Sequence, residues 1–150
     1  MLDQMYKAAR LDRSFYTQLI FDSYATGNAV LVVALVHGVR PLVRFPSLSS
    51  VLNVVLNGLI AWLLLALAVW LVGTKLLDGD ARIQTTIRLT GFAHVPLLAL
   101  LIPVVGLWIG LAWFAAAVFV AAQASLGVDQ KGALVSAGSG LLVWLFLRPF

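Results

Sequence analysis

A chain of 150 residues that is 62% apolar and 11% charged, with a mean hydropathy of +1.02, is no soluble domain, since those are about 45–50% apolar and about 25% charged. Its 16.2 kDa leave room for a handful of membrane spans at about 20 residues each and for no large extramembrane domain. Ten Lys and Arg against six acids give +4, and because the cations lie singly or in pairs at the edges of apolar runs they are orientation signals and not a nucleic-acid footprint.

Residues 1–24 form a first unit. Leu2, Met5, Tyr6 and Ala9, then Leu11, Phe15, Leu19 and Ile20, recur at three- and four-residue steps, with Lys7, Arg10 and Arg13 among the polar positions. That spacing predicts one or two amphipathic helices lying in the membrane interface. Asp12 stands where its carboxylate can accept from the amides of the following turn and so cap the second piece. Asp22, Gly27 and Asn28 mark a break before the next element. The stretch has neither the continuous hydrophobic core nor the small-x-small site of a signal peptide, so the mature chain is expected to start near Met1.

Residues 25–150 read as one membrane domain. Ala29 to Val39 is the first apolar run, which reaches only about 16 residues with its flanks; snorkelling of Arg40 and Arg44 lets it span, and the alternative is a re-entrant segment. Phe45-Pro46-Ser47-Leu48-Ser49-Ser50 is a turn and helix start, after which Val51 to Gly73 runs without a charge until Lys75. A polar connection, Lys75 to Arg88, turns at Asp78-Gly79-Asp80 and then leads through Arg82, Gln84, Thr85, Thr86 and Arg88 into a new helix. Leu89 to Ile102, broken by Pro96, is the third run, and Pro103 to Gly106 turns the chain into a fourth, Leu107 to Leu126. The loop Gly127 to Gly132 leads to a fifth run, Ala133 to Leu147, which ends at Arg148-Pro149-Phe150. The expectation is an all-α polytopic protein with about five transmembrane helices in a compact bundle. If all five cross, Lys7, Arg10, Arg13, Lys75, Arg82, Arg88 and Lys131 share one side and Arg40, Arg44 and Arg148 the other, which places the N-terminus in the cytosol and the C-terminus outside it.

The order of motifs resembles the Yip family (Ypt/Rab-interacting five-span membrane proteins) in its short prokaryotic form. The resemblance is carried by Leu11-Asp12-Arg13-Ser14-Phe15-Tyr16, by Ala25-Thr26-Gly27-Asn28 and the apolar residues that follow, by Gly73-Thr74-Lys75-Leu76-Leu77, by Gly91-Phe92-Ala93-His94-Val95-Pro96 and by the Pro103 to Gly106 turn. It implies a five-helix membrane domain with a cytosolic N-terminus and no enzymatic activity. Eukaryotic relatives are associated with Rab-type GTPases, but the long N-terminal cytosolic region of those proteins is missing here, so Rab binding is not implied.

Few residues remain for chemistry. All six acids are Asp, at 3, 12, 22, 78, 80 and 129, outside the apolar runs, which disfavours a proton-coupled transporter, and the absence of Cys removes disulfides, thiolate catalysis and cysteine-bound metals. Gly106 and Gly110, and Gly132, Ser136 and Gly140, put small residues on one face of their helices, either for packing within the bundle or for a partner helix or self-association. Ser139 lacks the first Gly of a nucleophile turn and any base besides His94 within a span. His94 is a candidate axial ligand to chlorophyll or haem, or an imidazole bonded to a carbonyl freed by Pro96. His37 is expected near the non-cytosolic face and His94 about 9 Å from the cytosolic end, so that the two do not pair. Asn53, Asn57 and Gln123 are intramembrane amides that need partners. The expected function is that of a non-catalytic membrane protein, without cofactor, that binds or organises other membrane proteins or lipids in the cell membrane. The alternative is a small accessory subunit of a respiratory or photosynthetic complex in which His94 touches a pigment or haem.

Overall fold

A lipid-facing backbone must pair its own amides and carbonyls, and an apolar chain without closed strands does so as helix. The computed structural model describes residues 2–44 and 47–147, and these form seven α-helices and one 3₁₀ segment. The expectations for Met1, for the Phe45-Pro46 turn and for Arg148-Pro149-Phe150 lie outside the described residues. Four helices are each long and apolar enough to cross a membrane: α3 (Ala25–Arg44), α4 (Leu48–Lys75), α6 (Gly106–Leu126) and α7 (Gln130–Leu147). The third apolar run is different. It is built from α5 (Ile83–Phe92) and the 3₁₀ segment Val95–Leu101, neither of which is long enough alone, so among the described residues four single helices are candidate spans and the fifth expected run does not form one long helix.

The division has a local cause. Pro96 has no amide hydrogen and stands at the start of the 3₁₀ segment, so α5 ends at Phe92 and the chain tightens into 3₁₀ turns. The apolar pattern also places two helix starts too late. α3 begins at Ala25, with Gly27 and Asn28 inside it and the break at Asp22 to Tyr24, and α5 begins at Ile83 within what reads as a polar connection. Asn28 is held in the helix because its amide donates to Gln4 Oε1 at 3.1 Å.

α4 contacts α7, α3 and α5, and α6 lies against the 3₁₀ segment, α7 and α5. The core runs through the whole bundle and includes Trp62, Phe92, Phe114 and Trp144. The α4 side is joined to α5 by Trp62, whose indole donates to the Ile87 carbonyl and to Thr90 Oγ1, each at 3.2 Å. α6 closes on Gly127, which takes the left-handed conformation (φ 66°) while its amide bonds the Gln123 carbonyl.

Two short helices, α1 (Leu2–Ala9) and α2 (Arg13–Leu19), precede the bundle. Their apolar stripe meets protein: Met5, Ala8, Phe15, Tyr16 and Leu19 are buried, and Phe15 sits edge-on to Phe92 at 5.5 Å. Trp113 on α6 donates to the Ala9 carbonyl at 2.8 Å and fixes the end of α1. Asp12 caps α2, accepting from the Ser14 amide at 2.9 Å, the Ser14 hydroxyl at 2.7 Å and the Phe15 amide at 3.5 Å.

The Ser14 hydroxyl bond, reinforced by the two amides against a desolvation that opposes them, holds the Asp12 carboxyl below its ordinary value. A group lowered in the folded state contributes in full above its unfolded pKa and loses that contribution as the pH falls through the folded one. Lowering the pH from about 6 to about 3 is therefore expected to loosen α2, read as faster amide exchange at Ser14 and Phe15 after correction for intrinsic rates. Asp12→Asn keeps a cap without the charge and should remove that pH dependence.

Candidate functional site

The helix starts decide where the two histidines fall. α3 and α5 begin at the same end of the bundle, tied by the bond from Arg88 Nε to Thr26 Oγ1 at 3.1 Å, and run side by side. His37 is 12 residues beyond the start of α3 and His94 is 11 beyond the start of α5, so at 1.5 Å per residue both lie about 17 Å from that end. Their ring centroids are 5.7 Å apart. The expectation that they lie at different depths fails because it counts from Ala29 and Leu89 in place of Ala25 and Ile83.

Each imidazole is set in the same way. His37 Nδ1 bonds the Val33 carbonyl and His94 Nδ1 the Thr90 carbonyl, both at 2.9 Å and both one turn back along the chain. A carbonyl oxygen only accepts, so Nδ1 carries the proton in both rings and Nε2 of each neutral ring is the bare nitrogen. The carbonyl that His94 takes is that of Thr90, whereas Pro96 frees the one four residues before itself, at Phe92. His94 is fully enclosed and its Nε2 meets no partner.

The walls around this pair come from every long helix. Phe114 on α6 stands 4.8 Å from His94 and Trp144 on α7 6.3 Å, with 4.8 Å between those two rings. On α4 the position facing His37 is Gly58, where an added Cβ would lie 2.5 Å from Cδ2 and 2.8 Å from Nδ1 of the ring. Beside His37 and Trp144 is a small cavity of about 30 Å³, reached also by Arg40 and Leu97, with room for about two waters. No three metal-ligating side chains cluster among the described residues.

The small-residue positions face inward. A Cβ on Gly140 would meet Val69 Cγ2 at 2.5 Å and the Leu65 carbonyl oxygen at 3.0 Å, so α7 closes on α4 there. Ser136 is buried and its hydroxyl donates to the Gly132 carbonyl at 2.9 Å. Gly132 packs on its own helix start, at Val128 and Asp129, while Gly106 and Gly110 lie against Ala99 and Leu100 of the 3₁₀ segment. Ser139 is within α7, where its hydroxyl donates to the Ser136 carbonyl at 2.7 Å. Asn53 and Asn57 do the opposite. Both are exposed on the outer face of α4, and Asn57 Nδ2 donates to Asn53 Oδ1 at 3.1 Å, so the two amides satisfy one another only in part. Sequence reasoning missed Gly58 and Arg88; the clue to Arg88 was a lone cation six residues into a helix whose start was placed too late.

Compared with known proteins, the chain is matched by one family model, described as Yip1 domain, over residues 3–147. No curated protein and no solved structure matches it.

Bulk on the inner face of α7 is expected to destabilise the chain itself. Gly140→Leu overfills the α4–α7 contact and should cost about 1–3 kcal/mol, read as earlier thermal aggregation of the detergent-solubilised protein. Gly138, whose Cβ would meet nothing within 4 Å, is the control, and Gly138→Leu should leave the aggregation temperature unchanged.

Proposed function

This chain belongs to the Yip1 domain family, and we propose that it is a non-catalytic integral membrane protein that binds or organises other membrane proteins or lipids. The observation that carries the reading is the pair of exposed amides on α4. At 1.5 Å per residue Asn57 lies about 14 Å along the helix from Leu48, below the level at which a short side chain reaches the headgroups. Polar groups on a lipid-facing helix are stabilised by a partner's hydrogen bonds, worth about 0.6–2 kcal/mol each. Around them Leu52, Leu56 and Ile60 are exposed and supply apolar contact for a neighbouring helix.

The interior supports no chemistry of its own in this reading. The buried imidazoles are spent on packing and on backbone carbonyls, and a macrocycle at His94 would have to unseat Phe114 or Trp144. We assign the chain to the cell membrane with the end that holds Lys75, Arg82, Arg88 and Lys131 in the cytosol, since that end outweighs the one with Arg40 and Arg44 in cations. The N-terminus is then cytosolic.

The α4 face is tested by purification from native membranes in mild detergent. Asn53→Leu with Asn57→Leu, two outward-facing changes, should leave the thermal aggregation temperature of the isolated chain within about 2 °C of wild type and reduce the retained membrane partner several-fold. Undiminished partner retention would overturn the assignment of that face, and a measurable turnover of substrate by the lone chain would overturn the non-catalytic reading.

A further inference from the structure

One end of the bundle brings together the α2–α3 junction, the loop after α4, the start of α5 and the last turn of α6, and they line a half-open cavity of about 530 Å³. Its polar lining includes Ser23, Asp80, Arg82, Gln84, Thr85 and Arg88. α5 begins at this cavity. Its N-cap residue, Arg82, makes no side-chain cap bond and its first turn contains no acid, so the Ile83 and Gln84 amides have no side-chain cap, while those of Thr85 and Thr86 bond the Arg82 carbonyl.

A second feature, independent of the helix end, is the state of Arg88. The side chain is 6% exposed and donates from Nε to Thr26 Oγ1, and from Nη1 to the carbonyls of Leu19 at 2.7 Å and Ile20 at 3.1 Å. None of these acceptors is charged. Asp80 lines the same cavity without pairing to either arginine, since the ion pair found among the described residues is that of Lys7 with Asp3. A guanidinium buried among neutral partners, beside a helix start that lacks its acid, wants an anion.

We infer that this cavity binds a phosphate group. Arg82 provides a forked cationic donor and Arg88 a second positive charge, the Ile83 and Gln84 amides open the first turn of α5, and Ser23 and Thr85 line the same pocket. The phosphate belongs either to an anionic lipid headgroup or to a free phosphate ion. In the lipid case the inference rests on the membrane-organising function proposed above and gives the lipid class; the α4 face is not part of the site.

The test uses the full chain in neutral detergent. Native mass spectrometry compares retention of phosphatidylglycerol and phosphatidylcholine, and thermal aggregation is followed with inorganic phosphate against chloride at equal ionic strength. Arg82 is exposed and uncommitted, so Arg82→Gln preserves the fold, and it should weaken binding about tenfold, the loss of one charge-assisted hydrogen bond. Preferential phosphatidylglycerol retention that Arg82→Gln abolishes identifies a lipid headgroup. A stabilisation by inorganic phosphate that Arg82→Gln abolishes, without lipid preference, identifies the free ion. Equal retention of both lipids by wild type and Arg82→Gln, with no variant-sensitive effect of phosphate, overturns the proposal. The Asn53→Leu, Asn57→Leu protein should bind as wild type does, so failure of the α4 interface and failure of this site are read separately.

Discussion

Backbone carbonyls that a membrane helix does not pair itself must find a donor inside the protein, and this requirement organises the bundle. The donors are indole and guanidinium N–H groups. Trp62 reaches the Ile87 carbonyl, Trp70 the Ala81 carbonyl at 2.9 Å and Trp113 the Ala9 carbonyl, while Arg88 gathers the last carbonyls of α2. The interrupted third pass would be intolerable in lipid, because the 3₁₀ segment and its flanks break the regular ladder. It is tolerated because α6 and α3 lie against it and His94 is sealed behind Phe114 and Trp144.

Close approach follows from the same economy of space. Where α7 meets α4 the contact is between Gly140 and the Leu65 backbone, and where α3 meets α4 the ring of His37 fills the room left by Gly58. Small residues thus serve two ends: at Gly140 they let backbones touch, and at Gly58 they receive a side chain. A helix pair in lipid has no hydrophobic gain from association, so such contacts carry the cohesion that apolar burial supplies in water.

This arrangement leaves different work to different parts of the molecule. The centre is closed, filled by aromatic rings and by imidazoles whose protons are already committed to carbonyls. The outer surface of α4 carries two amides that apolar lipid cannot satisfy, and the end at which α5 begins holds a buried cation with neutral neighbours. In the reading proposed here the chain acts through its outer face and that end, and the core exists to hold them in place.

The sequence by itself determined the class of protein, the existence of every long helix, the cap at Asp12 and the turn from Pro103 to Gly106, because hydropathy, capping chemistry and proline act over a few residues. It also marked Gly106, Gly110, Gly132, Ser136 and Gly140 as small faces, but not which way they face, since a glycine packs as well on a neighbour within the chain as on one outside it. The helix starts at Ala25 and Ile83 were hidden because polar residues there, Asn28 and Arg88, are paid for by partners far along the chain: Gln4 in one case and Leu19, Ile20 and Thr26 in the other. Only the tertiary structure could therefore bring His37 and His94 together. Their depth depends on where two helices begin, and those beginnings are settled by hydrogen bonds over 24 and 62 or more residues, beyond the reach of any local pattern.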